Sequence, residues 1–187
     1  MNKNIFISFI FIFWIIGTIT TWIHYNVIKF PISSIYDAQY IMDFSQTKNL
    51  VEFADAIMVV KVEKEVWNEY LWSLPATQYS AKVLEAISGN VEENIIIEQE
   101  AGYENGILYI SQWDAMRGKI EWNNGLLEIW WYYIIATKYN MDKKWYTIIS
   151  HENGTKTLKK DKNTIAEEIK NDTKIKEIKD YIQGKKK

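Results

Sequence analysis

The sequence predicts a mainly β domain, a small closed barrel of five strands with a C-terminal helix, preceded by an N-terminal transmembrane helix. Three observations predict it. Segments rich in Ile, Val, Tyr and Trp recur between residues 57 and 149, each bounded by turn residues, as short barrel strands are. After residue 161 the apolar residues fall instead at helical spacing. Before residue 25 there is one long apolar run.

That run, Ile5 to Ile23, carries no charged side chain. At ~1.5 Å per residue its length covers most of a ~30 Å hydrocarbon layer. Lys3 and the amino terminus precede it, which places the start of the chain in the cytoplasm and the rest outside, although Lys29 reduces the asymmetry. Trp22 and Tyr25 stand where the chain would leave the lipid. A cleaved signal, which would release the domain, is the competing reading. Its best cleavage region, Gly17-Thr18-Ile19-Thr20, runs straight into further bulky residues, and the long core favours an uncleaved signal-anchor. The organisation expected is an anchor over 1–25, a connector over 26–48, the barrel over 49–160 and a helical tail over 161–187.

In the connector, Pro31 and Ser33-Ser34 break the chain, a short helix is expected from Ile35 to Phe44, and residues 49–55 form a helical turn. The first strand, 57–66, starts as an apolar run and then alternates. The second, 77–87, puts Tyr79, Ala81, Val83 and Glu85 on one face and ends at the turn Ser88-Gly89-Asn90. Residues 94–100 form the third, followed by a loop holding Gly102 and Gly106. The fourth and fifth are 128–136 and 144–149, with a tight turn at Asn153-Gly154. In the tail, Thr164 and Glu167 have capping-box spacing and Asn171-Asp172 interrupts the helix. Ile175, Ile178 and Ile182 then form a stripe that packs on the barrel, and Gly184 is a stop signal.

Cysteine is absent, which rules out a lipid-bearing thiol, thiol catalysis, cysteine-ligated metals and disulfides. His24 and His151 are the two histidines, and neither has a neighbour at the spacing of a metal pair or a catalytic dyad. Glycine-flanked serine elbows, phosphate loops and paired-histidine helices do not occur. Glu98 and Glu100 share a strand face and could hold a hard cation weakly, but a solvated face is the simpler reading, as it is for Glu92-Glu93. No catalytic residue, metal or cofactor is expected. The net charge is −2, and the basic excess after residue 156 is interleaved with acids; the only arginine is Arg117. Nucleic acid is therefore not an expected partner. Tryptophan is in excess, with nine residues. Trp113, Trp122, Trp130 and Trp131 are the candidate ligand-binding aromatics, since exposed rings stack on sugars or anchor a protein interface. Trp113 and Trp122 lie in loop-like surroundings, and the adjacent Trp130 and Trp131 would face opposite ways on a strand. Core filling is the competing role for all four.

The stretches Leu50-Val51-Glu52-Phe53-Ala54-Asp55-Ala56-Ile57-Met58-Val59-Val60-Lys61-Val62 and Tyr79-Ser80-Ala81-Lys82-Val83-Leu84-Glu85-Ala86-Ile87-Ser88-Gly89 carry a resemblance. Over roughly 49–182 the chain resembles exported domains of the oligonucleotide/oligosaccharide-binding (OB) fold, the netrin-like modules and tissue inhibitors of metalloproteinases. The resemblance implies an OB-like barrel closed by a helix. Metalloproteinase inhibition in that family depends on an amino-terminal cysteine, which this chain lacks, so no functional residue carries over. The function expected is a non-catalytic, membrane-anchored extracytoplasmic binding module for a protein or cell-wall polymer. The alternative is an exported inhibitor or immunity-type protein that blocks a hydrolase by another mechanism, and an enzyme using carboxylates comes third. The cysteine-free, Ile/Lys/Asn-rich composition suits a Gram-positive bacterium.

Overall fold

A computed structural model describes residues 33–36, 42–71, 74–112, 114–116, 124–150, 153–158 and 164–185. The expected anchor at 5–23 lies outside them, and among the described residues no helix is long and apolar enough to cross a membrane. The domain is mainly β with helices at its C-terminal end. In order come β1 (Ser33–Tyr36), α1 (Thr47–Phe53), β2 (Ala56–Leu71), β3 (Leu74–Ser88), β4 (Asn94–Gln99), β5 (Gly102–Glu104) and β6 (Ile107–Ser111). Then follow β7 (Tyr132–Asn140), β8 (Trp145–Ile148), β9 (Thr155–Thr157), α2 (Ile165–Asn171) and α3 (Thr173–Lys185).

Six strands form one sheet in the order β2-β3-β4-β8-β7-β9, and β2 also pairs with β7, so the hydrogen bonding runs round in a ring. The pairs are antiparallel except β4 with β8. It is not a clean barrel. The parallel contact joins only Ile97 to Tyr146 and Glu98 to Thr147, and β9 extends the edge of β7 that β8 begins. Beyond Val62, β2 parts from β7 but stays paired with β3, which pairs with β4 as far as Thr77; only residues 69–71 and 74–76 extend further as a two-stranded tip.

The burial explains why the apolar runs do not alternate. Met58, Val60, Val62, Tyr79, Ala81, Ile97, Tyr133 and Ile135 fill the space between the strands. Ile57, Val59, Tyr132, Ile134 and Ala136, from the same two strands β2 and β7, pack outward against Leu50 and against Ile165, Ile169, Ile175 and Ile178 of the tail. A strand buried on both faces needs apolar residues at every position. Each such side chain contributes roughly 1.5–3 kcal/mol. The isoleucine stripe therefore covers the sheet, and Asp172 sits between the two tail helices. Its Oδ1 accepts from the Lys174 and Ile175 amides at 2.9 and 3.1 Å, which caps α3, while Oδ2 meets Lys156 Nζ at 2.5 Å.

Several local expectations change. Residues 33–36 form a strand, β1, paired in parallel with β6, where a helix was expected to begin at Ile35. The sheet edge offered by β6 satisfies backbone groups that a short isolated helix leaves open. The loop after β4 is a hairpin: Asn105 and Gly106 both have positive φ (50° and 78°), the backbone of a tight two-residue hairpin turn. Glu85 does not share the inward face of Tyr79, Ala81 and Val83. Val60 pairs with Val83 but Val59 with Glu85, so Leu84 is a bulge that turns Glu85 outward to Lys179 Nζ at 2.5 Å. Thr164 makes no side-chain cap, and α3 runs through Gly184. The fourth strand begins at Tyr132, because residues 128–131 form a turn.

Candidate functional site

That turn is the candidate site. Where β2 parts from β7, Val62 donates to the Trp131 carbonyl at 3.0 Å and accepts from the Trp130 amide at 2.7 Å. Trp131 N–H donates to the Glu128 carbonyl at 3.2 Å, closing the turn, and the Glu128 amide donates to the hydroxyl of buried Tyr133 at 2.9 Å. Held at both ends, the turn places Trp130 at φ 71°. Left-handed backbone costs a side-chain-bearing residue roughly 1–2 kcal/mol, and glycine would be the unstrained choice. Strain of this kind persists only where the surroundings over-determine it.

What the strain achieves is display. Trp130 is 58% exposed, and Lys61 Nζ lies 4.4 Å from its ring centroid. That cation–π contact orients a ring that stays largely exposed. Ile129 beside it is 40% exposed. Trp131 goes the other way, half-buried against the core between the strands. The structure thus separates the two adjacent tryptophans: one is presented and one is packed. Trp113 and Trp122 lie outside the described residues, as does His151.

Beneath the turn the ring is plugged by a polar clasp. The Gln99 side chain accepts from the Leu127 amide at 2.9 Å and donates to the Gly125 carbonyl at 3.1 Å and to Asp114 Oδ2 at 3.3 Å. Ser111 Oγ donates to the same Asp114 oxygen at 3.2 Å. Gln99 and Asp114 are both buried, so these bonds are worth more than surface ones. Gly125 is forced: its φ is 81°, and a Cβ there would lie 2.3 Å from the Asp114 carbonyl oxygen.

The acidic pair reads differently from the sequence. Glu98 is buried rather than on a solvated face, accepting from Thr147 Oγ1 at 3.0 Å and from Gln78 Nε2 at 3.5 Å. Glu100 lies beyond the end of β4. Among the described residues no group of three His, Asp or Glu side chains is placed to hold a metal ion. Lys61, which orients the candidate ring, was invisible in sequence, because it lies sixty-nine residues before it; only the β2–β7 register, with Lys61 opposite Tyr132, brings them together. No protein-family model matches this chain, and no curated protein matches it significantly.

Proposed function

We propose that this chain is a non-catalytic binding module, anchored in the membrane through residues 5–23 and displaying an OB-like domain outside the cytoplasm. The displayed tryptophan carries the reading: a strained backbone, a flanking lysine and a plugged ring all serve to hold Trp130 in solvent. The strand order supports the OB-like part, since β2, β3, β4, β7 and β8, taken as strands one to five, connect as one-two-three-five-four and back to one. The ligand in this reading is a protein or a cell-wall polymer. A pull-down with the detergent-solubilised chain, fed with wall fragments and with secreted proteins of its host, tests it. Retention that is lost in Trp130→Ala supports the reading, and retention that the variant keeps removes it. The absence of cysteine offers a topology test: Asn105→Cys, on an exposed hairpin turn, should react in intact cells with a membrane-impermeant maleimide.

One observation favours the alternative, an exported inhibitor of a hydrolase. The tip of the β2–β3 hairpin extends past the end of β4, and Trp67 near its base is 65% exposed, the shape of an element that enters a cleft. Inhibition of one secreted hydrolase that Trp67→Ala abolishes and Trp130→Ala spares would select it.

A further inference from the structure

The opposite end of the ring gapes. Because β4 pairs with β8 only at Ile97 and Glu98, residues 94–96 pass the start of β8 without a strand partner on that side. The space left is a solvent-open cleft of about 720 Å³, lined from β4, the β3–β4 turn and the β7–β8 hairpin. Its volume is that of a small-molecule site.

Two tyrosines, opposed in register across β7 and β8, dominate it. The rings of Tyr139 and Tyr146 lie 4.8 Å apart, tilted by 45°. Tyr139 is 38% exposed and lines the cleft, while Tyr146 lies deeper at 9%. No described residue hydrogen-bonds either hydroxyl. Burial, together with the nearby Tyr139, Glu92 and Asp55, holds the Tyr146 hydroxyl above the ordinary phenol value, so it stays a neutral donor and acceptor. Asn90 and Asn94 line the mouth, and among the described residues their side-chain amides have no protein partner.

The charges cancel. Asp55 is engaged at 2.9 Å by both Lys138 Nζ and the Tyr139 amide, and Glu92 and Lys144 contribute one charge of each sign. A net-charged ligand therefore gains nothing there. A purely apolar ligand would strip water from amides and hydroxyls without replacing it. A sugar offers an apolar C–H face for the tyrosine ring and hydroxyls for amides that both donate and accept.

We propose that this cleft binds a neutral mono- or disaccharide, stacked on Tyr139 and hydrogen-bonded by Asn90, Asn94 and Tyr146. The site is separate from Trp130 and does not depend on the reading given to that residue.

The test is calorimetry on the full chain in a detergent without a sugar headgroup, with cellobiose, maltose and N,N′-diacetylchitobiose as probes. Saturable one-to-one binding of at least one is expected. Tyr139→Ala should weaken it about tenfold, the loss of one stacking contact. Asn94→Ala, at an exposed position that does not threaten folding, should weaken it by several-fold, and Trp130→Ala should leave it unchanged. No saturable binding of any of the three sugars overturns the proposal. So does binding that survives both Tyr139→Ala and Asn94→Ala. Binding lost in Trp130→Ala and kept in Tyr139→Ala overturns the cleft while supporting the Trp130 surface.

Discussion

Where β2 parts from β7, Gln99, Leu127 and Trp131 fill the opening, and the covering turn forces Trp130 into left-handed backbone. About 20 Å away along β2, the ring is instead left incomplete, and Tyr139 and Tyr146 stand at a gap between β4 and β8. One end makes a surface by over-determining a turn. The other makes a cavity by omitting strand pairing. The first should be rigid and sensitive to substitution, and the second tolerant, because few structural contacts depend on its side chains.

The largest effect should come at the plugged end. Gly125→Ala combines a φ of 81° with a Cβ 2.3 Å from the Asp114 carbonyl and should destabilise the domain by about 3 kcal/mol in denaturant unfolding. A loss under about 1 kcal/mol would show that the loop yields and the end is not rigid. Next, Gln99→Leu strands the Leu127 amide and the Gly125 carbonyl and should cost about 2 kcal/mol. Tyr146→Phe at the open end should cost less than about 0.5 kcal/mol. Equal losses in these two variants would dissolve the contrast.

Trp130→Gly sharpens it from another side. Relief of roughly 1 kcal/mol of left-handed strain offsets a Lys61 contact of similar size, so the unfolding midpoint should hold or rise slightly. A clear fall would mean that the turn is not strained. The smallest effect concerns Asp55 at the open end. Burial raises its pKa, but the bonds from Lys138 and the Tyr139 amide outweigh that and leave it below the ordinary carboxylate value. Its contribution is thus present above the unfolded pKa, about 3.9, and is lost as pH falls through the folded one. The difference in melting temperature between wild type and Asp55→Asn should shrink below about pH 4. A difference that stays constant down to pH 2 would show that the ion pair does not stabilise the fold.

The strand centres were legible because they obey local rules. The 57–60 and 132–136 runs are apolar at every position, since both faces of β2 and β7 are covered. The tail was legible too, with Ile175 and Ile178 at helical spacing and Asp172 at the break. What escaped depended on distant partners or on single-residue irregularities. The Leu84 bulge reverses the facing of Glu85 without changing composition. Burial of Glu98 follows from the row it forms with Gln78 and Thr147, which no local pattern encodes. The Asn105-Gly106 hairpin was readable, since that dipeptide between Tyr103 and Ile107 is a hairpin signal. The candidate tryptophans were noticed as a surplus, but the sequence could not separate Trp130 from Trp131. The tyrosine cleft assembles from four separate strand ends and left no trace in any one of them.

The first and last helices of the described domain meet. Thr47 of α1 donates to Glu177 of α3, and the Tyr181 hydroxyl donates to Glu52 at 2.7 Å. Chain order is therefore a matter of where the backbone is cut rather than of architecture. A circular permutant that keeps β1 and Phe44 by joining Lys185 to Ser33 through a flexible linker, with new termini at Asn105 and Gly106, should fold to the same ring.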